Sequence, residues 1–350
     1  MKVQDSLGEI KKNASIILRH PNYGIVTKDE IEELLTHLTE IRLNIETAKK
    51  HKEEIKTLVP RFLLRRWAYA SFNQALSEIK KKESLEHINK KRFIFEAKIT
   101  ALWAYQACLI IEVQSFIRTI EKDLAHHTIT PHHVQKGDVI LSYKTETFLK
   151  HEPLSRIIAF ATNSPITHSL IAIDDIHPHT FLSANPESKG LGLKNETPRK
   201  GELYLVFRLR EELSPVPKEF LFERIKHWEH LAKTEKWKYF SFAEAKSWAA
   251  CFIGFLYLAT SYWLTKPICL KNPIHQKRTI FCSEVVDNIF REAGIYLGPR
   301  SQEHSVVGPV ELFYSPYLQF KGIIVNDGDI KQFKKEVEKK FTLSFLYNQK

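Results

Sequence analysis

The first 125 residues carry apolar side chains at helical spacing and contain almost no glycine or strand pattern. Thr27 and Glu30 form a capping box that predicts the start of one helix, and Pro60 separates it from a second. A third helix is predicted from about Phe93 to Asp123. The apolar stripe of the first predicted helix consists of Ile31, Leu34, Leu35, Leu38, Ile41, Ile45 and Ala48. Three long amphipathic helices predict a bundle over residues 1–130.

After residue 130 the pattern changes to short, mostly apolar strands separated by turns. A Gly-Asp turn at 137–138 leads into one predicted strand, and residues 164–174 form another, with His168 near its start. A helix is predicted between them, over about 153–162. We therefore expect an α+β protein in which the helical bundle precedes a second domain over residues 131–350. The bundle serves either to stabilise that domain or to dock a partner.

Cys282 is the residue of greatest chemical interest. Apolar residues recur at helical spacing behind it, and Gly294 is a suitable stop. Cys282 is therefore predicted in the first turn of a helix, where the dipole and free N–H groups favour a thiolate. His168 on its strand is the matching candidate base. Purely structural roles stay open: Cys282 as a small apolar residue in a core helix, and His168 as a structural histidine.

Four segments, in the same order along the chain, resemble one protein family. They are GDVIL at 137–141, THSLI at 167–171, CSEVV at 282–286 and GPVELFYSP at 308–316. They resemble the circularly permuted papain-like cysteine hydrolases of the YiiX/YaeF type. This branch of the NlpC-related superfamily includes relatives of lecithin:retinol acyltransferase.

The resemblance implies a permuted papain-like domain, with about five antiparallel strands and helices, over 131–350. It also implies acyl transfer or hydrolysis at an amide, ester or thioester, through a thioester on Cys282 with His168 as base. The N–H groups of Cys282 and Ser283 would hold the oxyanion. The substrate would be an acyl-bearing peptide or lipid, and neither a cofactor nor a metal is required.

The group that orients the histidine departs from the family pattern. The family carries a glutamate on the strand after the histidine, and here Ser183 stands at that position. Asn185 lies two residues further on the same strand face, and Glu187, beyond a proline, is the third choice. An uncharged group stabilises an imidazolium less than a carboxylate does. A catalytically idle protein- or membrane-binding module is therefore the alternative function.

The net charge bears on whether the partner is a nucleic acid or a membrane. The net charge is +11, but the basic clusters show no nucleic-acid-binding signature, so an anionic membrane surface is the better candidate partner.

The four cysteines show neither metal-ligand nor disulfide spacing, and the four histidines within 126–133 are interpreted as a linker. No signal peptide is apparent, which predicts cytoplasmic synthesis; secretion by another route stays open. Nothing in the sequence indicates an oligomeric state.

An apolar stretch without a charged residue runs from 247 to 265. Its length is at the threshold of a membrane span, but a single crossing would separate His168 from Cys282 across the bilayer. Three interpretations are left: a buried core helix, an interfacial or re-entrant helix, or the wall of an apolar substrate pocket. The candidate apolar contacts are Trp248, Phe252, Phe255, Leu256 and Trp263.

Overall fold

The computed structural model describes residues 3–21, 27–59, 62–83, 90–122, 126–144, 152, 155, 159, 164–175, 180–185, 190–235, 238–239, 279–280, 282–299, 301 and 307–326. Within these residues the protein is α+β, with its longest helices near the N-terminus and a six-stranded antiparallel sheet after them. The predicted α+β class is confirmed.

The described residues of the N-terminal part form five helices where three were predicted. They are α1 (Val3–Arg19), α2 (Lys28–Lys50), α3 (Lys52–Leu58), α4 (Phe62–Glu83) and α5 (Lys90–Lys122). The predicted capping box is present: the Thr27 hydroxyl accepts the Glu30 N–H, and the Glu30 carboxylate accepts the Thr27 N–H. Helix α1 buries an apolar stripe on the other helices, which explains why it forms without a capping signal.

The sheet follows from residue 139. Its strands are β1 (Val139–Lys144), β2 (Ile166–Ala172), β3 (Thr180–Asn185), β4 (Gly190–Asn195), β5 (Glu202–Leu209) and β8 (Leu318–Ile324), in the spatial order β4-β3-β2-β1-β5-β8. The described residues thus place six strands in this sheet, where about five were expected. A separate parallel pair joins β6 (Lys238–Tyr239) and β7 (Thr279–Ile280). Among the described residues, three helices accompany the strands: α6 (Lys218–Thr234), α7 (Cys282–Glu292) and α8 (Pro309–Phe313).

The two faces of the sheet have different neighbours, because successive residues of a strand point to opposite sides. We call the side that carries Leu141, Ile171 and Leu182 the first face. It belongs to the large core that also contains the apolar residues of α7. The second face, which carries Leu170 and Phe181, lines a smaller core. The position of each site residue follows from this division.

The helical part and the sheet part share the large core. The Tyr317 hydroxyl donates a hydrogen bond of 3.3 Å to the Leu18 carbonyl. Trp67 of α4 packs edge-on against Tyr314, with ring centroids 5.3 Å apart. These contacts hold α1 and α4 against the segment between α8 and β8.

One helix among the described residues is long and apolar enough to cross a membrane, over Lys91–Glu112 in α5. However, 83% of its most apolar window is buried inside the protein, as in the core helix of a bundle. The apolar stretch 247–265, on which the membrane interpretation depended, lies outside the described residues.

Candidate active site

Helix α7 places Cys282 against the sheet. Its apolar residues pack on the first face, where α7 contacts β2 and β3. Two hydrogen bonds fix its ends: the Ser283 hydroxyl donates to the Val307 carbonyl at 2.6 Å, and the Trp228 indole N–H donates to Glu292 at 2.9 Å. Cys282 is the first residue of this helix, and its side chain is 5% exposed.

Burial decides the protonation of the Cys282 thiol. It raises the thiol pKa, and this effect exceeds the opposing contributions of the Ser169 N–H and hydroxyl, the Ser283 N–H and the more distant charge of Lys144. The N–H donors expected at the helix start are thus present, but the net shift is opposite to the one predicted. Desolvation prevails because a thiolate loses most of its hydration at this depth.

His168 lies in β2, half-buried, with Ser142 of β1 as its cross-strand partner. The Ser183 hydroxyl oxygen lies 3.3 Å from its Nε2 and also donates to the Ser169 carbonyl at 3.0 Å. A hydroxyl has one proton. With that proton donated to the Ser169 carbonyl, the hydroxyl oxygen can accept a hydrogen bond from Nε2–H.

Strand alternation separates the imidazole from the thiol. His168 shares the second face with Leu170, whereas Ser169, which neighbours the Cys282 sulfur, shares the first face with Ile171. The register between β1 and β2 shifts directly beside His168, which leaves Thr167 as an extra residue. Such bulges re-aim side chains and are common near active sites. Pairing of the thiol with the imidazole stays a prediction.

The other predicted residues are only partly described. Asn185 is the last residue of β3 and pairs with Gly190 of β4. Glu187 and the five apolar contacts of the 247–265 stretch (Trp248, Phe252, Phe255, Leu256 and Trp263) lie outside the described residues. The described part of the chain contains no group of three or more His, Cys, Asp or Glu side chains arranged to hold a metal.

Sequence reasoning missed three polar neighbours of this site. Ser169 follows the histidine and meets the sulfur. On the second face, Ser142 donates to the carboxylate of Glu202, which is 6% exposed. No motif signals these residues, because tertiary packing alone brings α7 to β2 and β5 to β1.

Comparison with family models, with curated proteins and with solved structures gives no match for this chain. The functional conclusion therefore depends on the residues and their geometry.

Proposed function

We propose that the protein is a cysteine-dependent acyltransferase or hydrolase with Cys282 as the nucleophile. The observation that carries the proposal is the position of the thiol. It starts a helix, and backbone N–H groups on two sides favour its anion. It also lies beside the residue that follows His168, a histidine whose Nε2 is already engaged by Ser183.

The proposed reaction begins with a neutral thiol, since burial raises the Cys282 pKa. The imidazole of His168 accepts the thiol proton as the sulfur attacks the carbonyl carbon. This step requires the imidazole, which lies on the second face, to come within reach of the sulfur. The carbonyl electron pair moves to the oxygen, which the N–H groups of Cys282 and Ser283 stabilise. The leaving group takes the proton from His168, and water or another acceptor then cleaves the thioester.

We also propose that residues 131–350 form a permuted papain-like domain. An antiparallel sheet, a histidine strand that precedes the cysteine helix in the chain, and packing of that helix on the sheet support this assignment. The apolar stretch 247–265 favours an acyl chain as part of the substrate. The net charge of +11 favours an anionic membrane as the place where that substrate is met.

Labelling with acyl probes that react with thiols tests the proposal. Matched probes on a lipid and on a peptide scaffold are incubated with the wild type and with Cys282→Ser, and the modified peptide is mapped. We expect acylation at Cys282, faster with the lipid scaffold. Equal labelling of the wild type and Cys282→Ser contradicts the proposed nucleophile, and faster peptide labelling contradicts the lipid preference.

The second candidate function is a catalytically idle binding module. The observation in its favour is the burial of the thiol, which is 5% exposed and has a raised pKa. An idle Cys282 would react only as fast as Cys108, which is fully buried and whose pKa burial raises further. Iodoacetamide rates of the two thiols in the native protein, resolved by peptide mapping, separate the two functions.

A further inference from the structure

Ser169 presents an unused hydrogen-bond donor beside the candidate nucleophile. The residue is fully buried in β2, and its hydroxyl makes no hydrogen bond to a nitrogen or oxygen atom of the described residues. Leaving a buried hydroxyl unpaired is destabilising, because the group loses its hydrogen bonds to water without replacement. A binding or catalytic role is one reason for a protein to retain such a group.

The Ser169 hydroxyl lies on the side of the sheet where Cys282 is placed. Ser169 lies on the first face of β2, the face on which α7 packs with Cys282 at its start. The other three serines of the site have their hydroxyl protons engaged: Ser142 at the Glu202 carboxylate, Ser183 at the Ser169 carbonyl and Ser283 at the Val307 carbonyl. Ser169 is therefore the serine of this group with a proton to donate.

We propose that Ser169 is a further catalytic residue, which donates its hydroxyl proton and its backbone N–H to the Cys282 sulfur whenever that sulfur is anionic. The negative charge appears twice in the proposed reaction: when the thiol loses its proton to His168, and when the thioester breaks and the sulfur leaves. No proton is transferred from Ser169 in either step. This inference rests on the proposed function, since a donor to sulfur assists acyl transfer only if Cys282 is the nucleophile.

The direction of the electrostatic effects supports this role. Both Ser169 donors lower the Cys282 pKa against the larger effect of burial. A hydrogen bond to a charged group is worth about 1.5–3 kcal/mol, so loss of the hydroxyl lowers the thiolate fraction at least about tenfold below the thiol pKa. Thiolate nucleophilicity rises as the pKa rises, which compensates for about half of that effect on a logarithmic scale.

The test is the pH profile of Cys282 alkylation by iodoacetamide in Ser169→Ala, followed by peptide mapping. We expect a profile shifted to higher pH and a rate at least about threefold lower at neutral pH. Melting should be unchanged or slightly higher, because the substitution removes an unpaired buried group. Ser6→Ala is the matched control: Ser6 is equally buried, its hydroxyl also lacks a partner among the described residues, and it lies in α1.

The outcomes separate the two proposals. A shifted profile in Ser169→Ala, with Ser6→Ala superimposable on the wild type, supports the inference. Profiles that coincide in a protein whose Cys282 accepts acyl groups overturn the role of Ser169 and leave the proposed function intact. A protein whose Cys282 accepts no acyl group overturns the proposed function, and Ser169 then has no catalytic role. Slower alkylation together with lower melting overturns the inference in favour of a structural role.

Discussion

Asp287→Asn is expected to stabilise the protein at neutral pH. Asp287 lies in α7, five residues after the candidate nucleophile, and is 2% exposed. Burial raises its pKa to about 6, and the opposing effects of the Ser301 hydroxyl and the Arg291 charge reduce the shift only in part. Ser301 donates to this carboxylate, and an asparagine oxygen in the same place can accept that hydrogen bond.

The linkage between proton binding and folding gives the sign and size of the change in the free energy of unfolding with pH. The folded pKa of about 6 lies above the unfolded value of about 3.9, so the folded state holds the proton more tightly and loses stability as pH rises through this window. For one group this loss is about 1.5 kcal/mol at pH 5 and about 3 kcal/mol at pH 7.5. The asparagine cannot ionise. Its advantage over the wild type should therefore grow by about 1.4 kcal/mol between the two pH values.

Urea unfolding of the wild type and Asp287→Asn at pH 5 and pH 7.5 measures this difference, and all other titrating groups cancel in it. A variant that is less stable than the wild type at pH 7.5, or whose advantage is the same at both pH values, refutes a buried carboxylate with a raised pKa. Ser301→Ala is a useful companion: it removes the donor to the carboxylate and should lower stability more at pH 7.5 than at pH 5.

Two further predictions concern the sheet. Asp138→Asn should cost about 2 kcal/mol in urea unfolding, because it weakens a pair in which the part-exposed Arg208 donates to both oxygens of the buried Asp138 carboxylate at 2.8 Å; a cost below about 1 kcal/mol would contradict this. Ser183→Glu should place a carboxylate beside His168 and move the alkylation profile of Cys282 to lower pH. Destabilisation without that movement would show that the new carboxylate does not reach the imidazole.

Local signals in the sequence predicted much of the helical part. The capping pair Thr27 and Glu30 starts α2 as expected, because both partners of that motif lie within one turn. Helix α1 was missed although Leu7, Ile10 and Ala14 follow helical spacing. It has no capping box or proline to mark its ends, and the ends of an element are the feature that a sequence pattern predicts least reliably.

The site was less predictable, because its contacts depend on tertiary packing. The strand with His168 and the helix with Cys282 both form where their patterns predicted them. The face of β2 on which His168 lies depends on the register with β1 and on the bulge at Thr167. No local sequence pattern encodes either feature. The burial of Asp287 and its hydrogen bond from the Ser301 hydroxyl likewise depend on tertiary packing, which no local pattern signals.

The rate of acyl-enzyme formation in His168→Ala tests the proposed Cys–His chemistry most directly. Time-resolved intact mass spectrometry with the best acyl probe measures the rate at Cys282, with His227→Ala as the control, since His227 is exposed on α6. We expect His168→Ala to melt like the wild type and to acylate about 10²–10⁴-fold more slowly, while the control is unaffected. Acylation of a correctly folded His168→Ala at the wild-type rate would contradict the proposal that His168 is the base.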